Sequence, residues 1–155
     1  KLKLIEKGAK RLGINIIETC LRDGASADKE LPSADRILCD VPCSGLGVLS
    51  RKPEIRYKDD LIDTDLADIQ YKILCESAKY LKKGGKLVYS TCTLNPQENN
   101  KNTAKFLAEH NDFEGVKLEL PPELKRAFDE KPYEITLMPH TFDGDGFYIA
   151  VLTRR

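Results

Sequence analysis

The chain has 155 residues, 41% hydrophobic and 32% charged, which suffices for one domain with a core over 1–155 and excludes a disordered chain. Its 25 acidic residues balance its 25 basic ones, so net charge gives no argument for nucleic acid, and a polyanion would have to meet a local patch. No apolar run approaches the roughly 20 residues of a membrane span, and the opening KLKLIEKGAKRLG does not read as a signal peptide.

Residues 1–12 read as a helix stopped by Gly13. INIIETC (14–20) is apolar and β-branched and predicts a strand; RILCD (36–40) predicts a second. From about Asp60 to Lys83, apolar residues recur at Ile62, Leu66, Ile69, Ile73, Leu74, Ala78 and Leu81. That spacing predicts a helix, opened by acids and closed by Lys82-Lys83-Gly84-Gly85. KLVYST (86–91) predicts a third strand. In NPQE, Asn95 is placed to cap a helix running to about His110, with Pro96 at its first position and Glu98 completing a capping box. EITLMPH (134–140) and GFYIAVLTR (146–154) flank TFDGD and predict a β-hairpin. Strands alternating with helices predict an α/β fold with a mostly parallel, doubly wound sheet, closed by one antiparallel strand.

In such sheets ligands gather at the carboxyl ends of the strands, where Cys20, Asp40–Cys43 and Thr91-Cys92 all fall. Five cysteines, an odd number without a secretory signal, predict reduced thiols in the cytoplasm. No C-x-x-C is present, and His110 and His140 lie far from Cys39 and Cys43, so the usual spacing of a zinc site is missing. Cys92, just before a predicted helix start, fits either a thiolate favoured by the helix dipole or a small buried hydrophobe. Cys43 lies in PCSGLG, where Pro42 stiffens the chain and Gly45 and Gly47 let backbone approach a ligand. A structural loop needs those glycines but not the thiol. Asp40 is a ligand acid or an Asx-turn residue. Asp23, in RDGAS, is weaker on local grounds. Arg51, Lys52, Arg56 and Lys58 could meet phosphates or form a solvated loop. His140 and Asp143 could face a ligand or support the hairpin. Cys20, Cys39 and Cys75 read as core.

DVPCSGLGVLSRKPEIR, then STCTLNPQEN, then HTFDGDGFYIAVL together resemble the RNA cytosine-5 methyltransferases, most closely the Sun/Fmu type of bacterial small-subunit rRNA. The resemblance covers almost the whole chain, and a Pro-Cys paired with a Thr-Cys is characteristic of RNA-directed members. It implies a Rossmann-like sheet using S-adenosyl-L-methionine on an RNA partner, with no metal and no membrane. Cys92 would attack C6 of the cytosine as nucleophile. Cys43 would assist release of the methylated base, and Asp40 would hydrogen-bond the base and lie beside the cofactor. Asp23 would contact the adenine end of the cofactor. The base would have to leave any stack to reach the thiol. The family's glycine-rich loop and ribose-binding acid find no match here. The expected sheet is therefore N-terminally truncated, its first two strands missing.

Overall fold

The structure, a computed structural model, describes residues 1–26, 31–57, 64–122, 124, 131–141 and 143–155. The predicted helix start near Asp60 and the basic residue Lys58 lie outside the described residues. Helix α1 spans Leu2–Arg11 and ends as expected, with Gly13 in a left-handed turn (φ 69°). No residue of α1 is buried. Strand β1 is Ala34–Asp40, α2 is Thr64–Ala78 and β2 is Leu81–Thr91. Helix α3 is Asn100–Glu109, and the short β3 (Phe113–Gly115) precedes the hairpin strands β4 (Glu134–Leu137) and β5 (Phe147–Arg154).

The sheet runs β1-β2-β5-β3, with β4 also paired to β5. The mostly parallel sheet expected from the alternation is not what the described residues form. Only β1 and β2 are parallel; β5 runs antiparallel to β2, β3 and β4. The predicted hairpin forms, in the register Glu134↔Ala150 to Leu137↔Phe147.

Two expected boundaries moved, and one strand did not form. The expected strand at 14–20 is absent: this segment lies in no strand, and Ile16 is 88% exposed. A β-branched run becomes a strand only when a neighbour completes its ladder and covers one face, and here neither happens. Helix α2 stops at Ala78, so Leu81–Lys83 belong to β2 rather than to the helix end. Lys82–Gly85 instead form an irregularity in the strand: pairing jumps from Ala34↔Leu81 to Arg36↔Lys86. Gly84 takes a positive φ of 72° inside it, as a bulge residue needs.

Helices α2 and α3 cover one face of the sheet. Leu87, Tyr89, Tyr148, Ala150 and Leu152 point into that face with Leu74, Ala78 and Phe106 of the helices. Tyr89 donates to Glu98 O at 2.6 Å and Tyr148 meets Thr103 Oγ1 of α3 at 2.8 Å, so even the rings' hydroxyls are partnered within the core. On β1 Ala34, Ile37 and Cys39 are covered, and Leu38 remains 71% exposed. Cys39 is core, as expected, and Cys75 is half-buried, but Cys20 is exposed.

Candidate active site

The parallel register sets the site. Asp40 pairs with Ser90 at the ends of β1 and β2, and Val41 N–H extends the ladder to Ser90 O. Both chains therefore leave the sheet side by side, one toward Cys43 and the other toward Cys92. Their Sγ atoms lie 3.1 Å apart. The pairing that sequence position suggested is a direct contact.

Burial is the first cause that pushes the Cys43 thiol up to about 12, and its hydrogen bond to Cys92 and the charge a thiolate there would carry push the same way. Either thiol can donate in the contact between them. Asp40 is exposed at the mouth, its Oδ1 accepting from Ser90 Oγ at 3.2 Å.

The loops carrying the thiols are locked by close backbone contacts. After Cys43 the chain turns at Gly45, whose φ of 76° suits glycine, and enters the short helical turn Leu46–Val48. Gly47 N–H donates to Cys92 O at 3.0 Å, and Gly146 N–H donates to Gly47 O at 2.7 Å. Three segments far apart in sequence thus meet as bare backbone. The buried Ile55 side chain fills the space beneath Gly45.

Beneath the thiols lies a polar cluster that the sequence reading saw only as a helix cap. The expected helix start at Asn95 does not form; Asn95–Asn99 make a separate turn, and α3 begins at Asn100 with Asn99 as its cap residue. The local capping bond survives, since Asn95 Oδ1 accepts from Gln97 N–H at 3.1 Å. Glu98, 1% exposed, turns away from its expected capping partner's N–H and into the core. Four donors converge on it: Ser44 N–H (2.9 Å) and Gln70 Nε2 (2.7 Å) on one oxygen, Ser44 Oγ (2.6 Å) and Asn95 Nδ2 (3.0 Å) on the other. Asn99 grips the other loop, its Oδ1 accepting from Thr91 Oγ1 at 2.6 Å and its Nδ2 donating to Thr93 O at 2.9 Å. So the residues on either side of Cys92 are tied to the cap of α3 by Asn99 rather than by adjacency in sequence.

The remaining candidates are placed elsewhere. Asp23 is exposed, its carboxylate accepting from Ala25 N–H at 2.9 Å and from Ser26 Oγ at 3.4 Å. Its neighbours Arg22 and Gly24 line a cleft with Ala34, Ile37, Ser77 and Tyr80, so the structure does not bring this loop to the thiol pair. Arg51 is tied to the hairpin loop, 3.0 Å from Asp145. His140 and Asp143 are exposed, and Asp143 shares a shallow surface with Ser50 and Arg51; Gly146 of the same loop reaches the site. No group of three His, Cys, Asp or Glu side chains among the described residues could hold a metal ion. No described helix is long and apolar enough to cross a membrane.

The fold recurs in solved structures. NSun6 from Pyrococcus horikoshii with SFG superposes with a TM-score of 0.83 at 28% identity, covering 99% of this chain and 38% of that one. A methyltransferase homologue protein, also from Pyrococcus horikoshii, gives 0.78 at 25% identity, over 99% and 50% of the two chains. The fold class is therefore that of the S-adenosylmethionine-dependent methyltransferases. Residues 1–153 match the family described as 16S rRNA methyltransferase RsmB/F, and the chain belongs to that family. The probable ribosomal RNA small subunit methyltransferase B of Bacillus subtilis is 43% identical over 100% of this chain and 36% of its own length. The chain thus spans about a third of that relative.

Proposed function

We propose that the intact protein methylates C5 of a cytosine in small-subunit rRNA, in the cytoplasm, through a covalent bond between Cys92 Sγ and cytosine C6. The single observation that carries this reading is the 3.1 Å separation of the two thiols at the ends of adjacent parallel strands. Two thiols so close can serve adjacent carbons of one base, one as nucleophile and the other in releasing it.

The described residues suit one side of a methyl-donor site. Asp40 is exposed on β1, as is Leu38 two residues before it, so its carboxylate is accessible to a ligand. Asp40 would lie beside the donor, and Asp23, whose exposed carboxylate bonds only its own loop among the described residues, would take the adenine end. S-adenosyl-L-methionine, when bound, supplies an electrophilic methyl group; the NSun6 relative was solved with SFG, an analogue of it.

Cys92 Sγ adds to C6, and the electron pair of the C5–C6 bond is released toward C5, which becomes the nucleophile. Asp40 accepts from the amino group and passes a proton to N3, which neutralises the negative charge that the addition places in the ring. After C5 is alkylated it carries both a methyl and a proton. A base beside the ring, Cys43 Sγ or a solvent water, takes that proton; its electron pair restores the C5–C6 double bond and Cys92 Sγ leaves as the thiolate. Cys43, whose Sγ stands 3.1 Å from Cys92 Sγ, assists this elimination by helping to remove the C5 proton or to expel Cys92.

The test separates the thiols in the intact enzyme, with transcribed small-subunit rRNA and the methyl donor. Cys92→Ala should abolish both methylation and any covalent complex. Cys43→Ala should form the complex and release it slowly, leaving a protein–RNA band on denaturing electrophoresis. Methylation at near wild-type rate by Cys92→Ala would overturn the reading.

A further inference from the structure

We infer that Glu98 and Asn99 are a pair of positioning residues, each setting one thiol: Glu98 fixes Cys43 through Ser44, and Asn99 fixes Cys92 through Thr91 and Thr93. The inference rests on the proposed roles of the thiols, but the contacts that carry it do not.

Glu98 is 1% exposed, and the four donors that converge on it are all neutral. A buried carboxylate so placed is costly unless its donors are fixed, so it favours one geometry of the groups that satisfy it. Two of the four donors belong to Ser44, the residue after Cys43. A third is Gln70 of α2, whose Nε2 also donates to Pro42 O, the residue before Cys43, at 2.7 Å. The Cys43 loop is thus gripped on both sides of the thiol. Asn99 does the same for Cys92, accepting from the residue before it and donating to the residue after it. Thr93 Oγ1 and Ser44 Oγ close the circuit at 2.7 Å. Because Glu98 and Asn99 are consecutive, one peptide registers the two loops against each other. A helix start needs only a cap; it does not need a buried acid facing away from its own helix.

The pair makes separable predictions. Glu98→Gln keeps size and shape but offers one acceptor oxygen where four donors converge. It should leave attack by Cys92 largely intact and slow release, so that a covalent RNA complex accumulates as it does in Cys43→Ala, with release about tenfold slower than wild type. Ser44→Ala, which removes only the hydroxyl, should shift the same balance to a smaller degree and guards against a Glu98 variant that does not fold. Asn99→Ala should instead slow formation of the complex, with no accumulation. The measurement is the amount of denaturant-stable protein–RNA complex against time for each intact variant, normalised to folded protein by circular dichroism. A purely structural role would lower folded protein and leave the balance between formation and release at its wild-type value in all three variants. That result, with Cys43→Ala trapping RNA as expected, would overturn the positioning roles and leave the proposed function standing. If Cys43→Ala itself traps nothing, the proposed function fails and this inference fails with it.

Discussion

Replacing Gly47 by alanine should damage the site severely. The new carbon would lie 2.1 Å from Gly146 O, 2.6 Å from the Gly146 carbonyl carbon and 2.8 Å from Cys92 O. Ordinary contact for such a carbon starts at 3.4 Å, so the nearest neighbour must retreat by 3.4 − 2.1 = 1.3 Å. All three obstacles are backbone, and no side-chain rotation can relieve them. Retreat strains or breaks the bonds from Gly47 N–H to Cys92 O and from Gly146 N–H to Gly47 O. Overpacking costs about 1–3 kcal/mol. Each backbone bond lost adds about 0.5–1.5 kcal/mol. Together these destabilise the methyltransferase fold by about 2–6 kcal/mol. A displacement of about 1 Å at reacting groups is worth on the order of a hundredfold in rate, so the folded fraction should also form the Cys92 adduct about that much more slowly. Thermal unfolding of the intact protein reads the first effect, and adduct formation per folded molecule reads the second. An unchanged midpoint with wild-type adduct formation would show that these three segments do not meet as described.

Cys43 should resist alkylation in a way that its pH profile reveals. With its pKa raised to about 12, far less of this thiol is ionised at pH 8.5 than of an ordinary cysteine, which is about half ionised there. Iodoacetamide labelling of Cys43, followed by peptide mass spectrometry, should therefore still rise about tenfold per pH unit at pH 10, where free cysteine has levelled off; an early plateau would refute the raised pKa. The same shift makes the fold hold a proton that the unfolded chain releases above pH ~8.5, so this contribution to stability is complete below that pH and is lost as pH rises toward 12. Tyr148→Phe removes the hydroxyl that donates to buried Glu134 at 2.6 Å and meets Thr103 at 2.8 Å. It should lower stability by about 1–3 kcal/mol, measured by denaturant unfolding, while adduct formation per folded molecule stays at the wild-type value. A fall in adduct formation would place the hairpin's polar core in the catalytic machinery.

What the sequence made legible, and what it hid, divides along one physical line. RILCD and KLVYST announced strands because their burial alternates or runs continuous against neighbours present in this chain. INIIETC carried the same local signal yet forms no strand, because strand propensity measures fit to a sheet and Ile16 has no sheet beside it. The thiols were legible for a related reason: a residue just past a parallel strand is aimed at the carboxyl end whatever follows it, so Cys43 and Cys92 could be paired from position alone. Their supports could not. Lys82-Lys83-Gly84-Gly85 looked like a helix end, and only the pairing jump from Ala34 to Arg36 shows it as a strand irregularity. NPQEN looked like a cap because capping is a local pattern, read within four residues. Glu98 instead serves Ser44, 54 residues earlier in the chain, and Asn99 serves the turn that follows β2. A buried carboxylate and a surface cap have the same letter. Only its four convergent donors distinguish them, and three of those four are brought in by β1 and α2, elements whose positions the local pattern does not contain.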